Sequence, residues 1–102
     1  MAFHRLEKLI HLHDGYRQLF RVEHVQLLLI QEGGQRYLLR NMCPHKGFPL
    51  HTGTMTGSHL RCAYHGMEFD LARGGRCMQH PLQPGVEMYM LVYEGSDVGV
   101  EL

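Results

Sequence analysis

The 102-residue chain has no excess charge of either sign, because ten Lys and Arg balance ten Asp and Glu. That balance removes the electrostatic footprint of a general nucleic-acid binder. It also gives no pull toward anionic membranes. Long apolar runs are missing too. The longest, Val25 to Ile30, is interrupted by Gln26, whereas a bilayer span needs roughly 18 apolar residues. The opening segment Met1–Gly15 holds no apolar stretch of secretory-signal length, so a cytoplasmic, membrane-free protein is expected. Cysteine is scarce: three residues cannot all pair within one chain. In a reducing compartment so few thiols suit metal or catalytic use better than stapling. The length fits one domain, residues 1–102, which buries roughly two-thirds of the surface of its unfolded chain and can hold a modest core without disulfides.

What the chain does have is strand and turn. Gln18 to Val22 reads as a short strand. Val25 to Gln31 is an apolar run of strand length, expected to be buried on both faces. Gly33-Gly34 then leads into Gln35–Met42, a hairpin signature. Glu87–Tyr93, Glu94-Gly95-Ser96 and Asp97–Leu102 read as a second hairpin. Leu6–His13 offers a helical turn. Between the hairpins, Cys43 to Pro84 is dense in Gly, Pro and His and reads as loops and very short strands. A loop-rich insert of that length with little apolar content of its own needs a tie, which a metal centre would supply.

Two motifs sit in the insert, Cys43-Pro44-His45-Lys46-Gly47 and Cys62-Ala63-Tyr64-His65-Gly66, with sixteen residues between His45 and Cys62. Each offers one thiolate and one imidazole within a few residues. A set of two sulfurs and two nitrogens suits zinc or an iron–sulfur cluster. Zinc fingers usually group Cys with Cys and His with His. Here each loop mixes them, as Cys-x-His and Cys-x-x-His, which suits a binuclear centre taking one donor from each loop at each iron.

Asn41–Gly47 and Cys62–Asp70 resemble the two cluster loops of the Rieske family. Leu50, Gly53, Gly74 and Pro81–Pro84 fall where that family has its small loop-packing residues and its proline-rich covering loop. The resemblance implies an all-β Rieske fold, an antiparallel sandwich-like base with a small cluster-binding subdomain at about residues 43–84. It implies one [2Fe–2S] cluster, with Cys43 and Cys62 on one iron and His45 and His65 on the other. High-potential members carry an extra Cys in each loop, forming a disulfide, and a Ser after the second His-Gly. Phe48, Tyr64 and Met67 stand at those positions here. Fewer hydrogen bonds to the cluster sulfurs imply a midpoint at the low end of the Rieske range, about −150 mV.

The functional expectation is a one-electron carrier, not an enzyme. It would pass electrons from an NAD(P)H-dependent flavoprotein reductase to a terminal oxygenase of the aromatic-ring dioxygenase type, as a monomer. Three rivals stand beside it: the small electron-relaying subunit of an NAD(P)H-dependent nitrite reductase, a zinc-stabilised interaction module, and a redox sensor. Pro44, Lys46, Phe48, Pro49 and Tyr64 should flank the cluster tip, either shielding it or meeting redox partners. Cys77 reads as a structural or surface thiol. His4, His11, His13, His24, His51, His59 and His80 read as ordinary surface or loop residues, His80 being the one expected nearest the cluster.

Overall fold

The computed structural model describes residues 2–80 and 82–102. Among them, eleven strands form three antiparallel sheets. The first sheet joins β1 (Phe3–Lys8), β11 (Asp97–Glu101) and β10 (Val92–Glu94), with β11 in the middle. The second runs β2 (Arg17–Val22), β3 (Val25–Glu32), β4 (Gln35–Arg40) and β9 (Met88–Tyr89). The third, β5 (Thr54–Thr56), β6 (His59–Arg61), β7 (Glu68–Asp70) and β8 (Arg76–Cys77), is made of strands two or three residues long. Among the described residues helix is limited to two single 3-10 turns, Leu9–His11 and Leu71–Arg73. No helix among the described residues is long and apolar enough to cross a membrane.

Strand β3 organises the packing. Leu27, Leu28, Leu29 and Ile30 are all essentially inaccessible, and alternation along a strand sends them to opposite faces. Leu28 and Ile30 enter a core with Leu39, Leu50, Leu60, Phe69 and the cysteines. Leu27 and Leu29 enter a second core with Val22, Leu38 and Val100. The expected burial on both faces is therefore met, one face by each core. The β3–β4 hairpin closes through Gly33 and Gly34 at φ 58° and 77°, the paired positive values of a type I′ turn that glycine accommodates best.

Two sequence expectations are corrected. Leu6–His13 is helical only at Leu9–His11, and the residues before it form β1, hydrogen-bonded to β11 at the far end of the chain. Nothing local in the sequence marks that partner. The single strand expected at Glu87–Tyr93 is broken in two. Met88 and Tyr89 pair with β4, whereas Val92 to Glu94 pair with β11, so the chain changes sheets at Met90–Leu91. Both faces of the segment carry apolar residues, and each finds a core: Met88 packs on the first, Tyr89 and Leu91 on the second. Of the expected covering loop, Pro81 lies outside the described residues, and Leu82, Gln83 and Pro84 are exposed.

Candidate metal centre

Both cysteine loops are built on one plan. The Cys43 N–H donates to the Phe48 carbonyl (2.7 Å), and the Gly47 N–H donates back to the Cys43 carbonyl (2.7 Å). The Cys62 N–H donates to the Met67 carbonyl (2.7 Å), and the Gly66 N–H to the Cys62 carbonyl (3.0 Å). In each loop the same offsets, four and five residues, curl the backbone around the thiol. Each needs its glycine, since Gly47 and Gly66 lie at φ 77° and 72°, where a side chain is strained. The histidine comes two residues after the cysteine in one loop and three after it in the other.

The loops sort the four donors by depth. Cys43 and Cys62 are buried at 1% exposure each, while His45 and His65 are exposed. The two imidazoles meet edge to face with centroids 5.4 Å apart. Burial pushes the Cys43 thiol up from its ordinary value; the backbone N–H groups of His45 and Lys46 pull it the other way, and the adjoining Cys62 thiol adds to the rise. A bare thiol here thus resists ionisation, and only a cation that compensates the charge favours its thiolate. Paired buried sulfurs beside paired exposed nitrogens fit a [2Fe–2S] cluster, which asks for two protein donors at each iron. Among the described residues no three His, Cys, Asp or Glu side chains converge on one point.

Other side chains hold the loops in place. Asn41, 6% exposed, accepts from the Leu50 and His51 N–H groups (2.8 Å each) and donates to Gln26 Oε1 (3.0 Å) and His51 Nδ1 (3.1 Å). Arg17 Nη1 donates to the carbonyls of His51 (2.9 Å) and Gly53 (2.6 Å). The second loop is tied by Gln79, which donates to the Gly66 carbonyl (3.1 Å) and accepts from the Glu68 N–H (3.0 Å). Gln79 escaped the sequence reading, and no motif marks it, because a glutamine two residues past β8 has no distinguishing local pattern. His51, expected to be an ordinary surface or loop histidine, is a half-buried loop residue that joins the Asn41 network. His59 likewise lies 3.7 Å from the buried Asp70 carboxylate. Cys77 is buried in the first core, so it is structural. His80 is exposed. Phe48 and Tyr64 are partly exposed and stack across the gap between the loops, with centroids 4.4 Å apart and planes 13° from parallel.

A family model described as the Rieske [2Fe-2S] domain matches residues 4–90. The oxygenase component of dicamba O-demethylase from Stenotrophomonas maltophilia is 43% identical over 51 residues, half of this chain and 14% of that protein. The chain spans only 14% and 17% of the first two curated relatives it matches. Among solved structures, a ferredoxin of Sphingomonas yanoikuyae B1 superposes with a TM-score of 0.83 at 24% identity, covering 99% of both chains. A chain from the complex of reduced oxygenase and oxidized ferredoxin in carbazole 1,9a-dioxygenase gives 0.81 at 21% identity, covering 96% of this chain and 91% of that one. At those identities the likeness concerns the fold.

Proposed function

The chain belongs to the Rieske [2Fe-2S] domain family, and from that footing we propose that it is a ferredoxin relaying single electrons from an NAD(P)H-dependent flavoprotein reductase to a terminal oxygenase. The family's cofactor is a Rieske-type cluster with Cys and His ligands, which sets the zinc-held module aside. We assign Cys43 and Cys62 to one iron and His45 and His65 to the other. Residues 1–102 act as one domain, with residues 43–84 as its cluster-bearing part, and the protein works as a cytoplasmic monomer that catalyses no reaction of its own.

The observation that carries this reading is the sorting of donors by depth. When bound, the cluster supplies reversible one-electron chemistry. The chain's residues do the rest. Cys43 and Cys62 keep the sulfur side away from water. His45 and His65 bring the nitrogen side to the surface, where a partner's redox centre can approach within tunnelling distance. The exposed Phe48–Tyr64 pair presents a small apolar face, with Lys46 on the first loop and Arg61 against Gly66 of the second as cations, a surface suited to brief docking. No nucleic-acid partner is proposed, since the charge balance offers none.

Anaerobically purified protein should carry two irons and two acid-labile sulfides per chain. The reduced protein should give an EPR spectrum with a lower average g than an all-cysteine cluster. It should be reduced by NAD(P)H through a flavoprotein reductase and re-oxidised by a ring-hydroxylating oxygenase. Protein that binds no iron, or whose colour and spectrum survive replacement of His45 or His65, overturns the assignment.

A further inference from the structure

Phe48 belongs to the first loop by its backbone and to the second by its side chain. Its carbonyl accepts the Cys43 N–H at 2.7 Å, so the residue is fixed relative to a proposed sulfur ligand. Its ring leaves that loop altogether. It stacks on Tyr64 at 4.4 Å and tilts at 45° against the His65 ring, 5.3 Å away. His65 in turn meets His45 edge-on at 5.4 Å. Tyr64, Phe48, His65 and His45 therefore form one continuous run of rings across the mouth of the centre. No hydrogen bond between the described residues holds either imidazole.

We infer that Phe48 is a positioning residue: it sets the ring plane of His65, keeps water from that ring's face, and clasps the two loops without a covalent bond. The inference rests on the assignment of His65 as an iron ligand. An imidazole in contact with both an aromatic ring and a second imidazole has fewer rotamers left, so the direction in which its nitrogen is presented is narrowed before iron arrives. The stack between Phe48 and Tyr64 links segments that share no cross-strand pairing. Phe48 is 36% exposed, so its ring meets solvent on one part while covering Tyr64 and His65 with the rest.

The consequence for potential has a definite sign. Two ferric ions, two sulfides and two thiolates sum to zero, and the reduced form carries one negative charge. Water admitted to the His65 face favours the more charged, reduced form, so removing the ring raises the midpoint. The test compares Phe48→Ala, Phe48→Leu, Phe48→Trp and Tyr64→Ala as cluster-loaded proteins. Three readouts apply: midpoint by protein-film voltammetry, imidazole nitrogen couplings by pulsed EPR, and the rate of iron loss to a chelator.

Phe48→Ala should raise the midpoint, broaden the nitrogen couplings and speed iron loss about two- to tenfold, the factor expected for one aromatic pair. Phe48→Trp should restore all three, and Phe48→Leu should restore none fully. Tyr64→Ala, which leaves Phe48 in place, should speed iron loss without broadening the His65 couplings; it gives a separate test if Phe48→Ala retains no cluster. The inference fails if Phe48→Ala matches wild type in couplings and midpoint, if Phe48→Leu is as good as Phe48→Trp, or if Tyr64→Ala loses iron at the wild-type rate. Absence of a cluster from the wild-type protein would instead overturn the ligand assignment.

Discussion

At the scale of single residues, Met67 and Asn41 govern different properties of the centre. The Met67 carbonyl fixes the Cys62 N–H, but its thioether offers nothing to donate. Its side chain is half-buried against the first core. A wild-type midpoint near the bottom of the Rieske range, about −150 mV, is therefore expected by voltammetry. Met67→Ser adds a donor beside the second loop and should raise the midpoint by about 40 mV, the equivalent of about 1 kcal/mol of preference for the reduced form. Asn41 acts on stability instead. Asn41→Ala strands the Leu50 and His51 N–H groups inside the protein and should cost about 2–4 kcal/mol, read as a lower denaturant midpoint. The four proposed ligands were legible because each pair is written within four consecutive residues and the glycines enforcing each loop stand beside them. Asn41 was legible only as part of the motif, and Gln79 not at all, since its partners Gly66 and Glu68 are brought to it by β7 and β8.

At the scale of elements, β3 shows what periodicity can and cannot reveal. An unbroken apolar run announces burial on both faces, and β3 has it. The run does not say which face looks toward the metal. The structure assigns Leu28 and Ile30 to the core that contains Cys43 and Cys62, and Leu27 and Leu29 to the other. Leu28→Ala and Leu29→Ala should each cost about 2–5 kcal/mol of stability, as large-to-small core changes do. Only Leu28→Ala should also speed iron release to a chelator, a comparison that separates the two faces. The strands misread from sequence, β1 and the β9–β10 pair, are those whose partners lie far along the chain or change midway. Local pattern holds no record of either circumstance.

At the scale of the whole molecule, the N-terminal segment is secured by a network centred on Glu7. Its carboxylate accepts from the Lys8 N–H and Tyr16 Oη, both at 2.8 Å, and lies 2.9 Å from His11 Nδ1. Led by the His11 contact, these partners hold the carboxyl at about 2, well below its ordinary 4.5. Because the folded value lies below the unfolded one, the unfolded chain takes up the proton first. The stabilisation is complete above pH 4.5 and fades as pH falls toward 2. Denaturation across that range should find wild type more stable than Glu7→Gln near pH 6, with the gap closing in acid; comparing the two proteins cancels the acid lability of the cluster itself.

Since Leu27 to Ile30 serve as a party wall between the two cores, neither compartment can be vacated while the other stays furnished. Heating should therefore produce a single calorimetric peak, with visible colour and sheet circular dichroism disappearing together, and no colourless yet folded apo-intermediate on the way up.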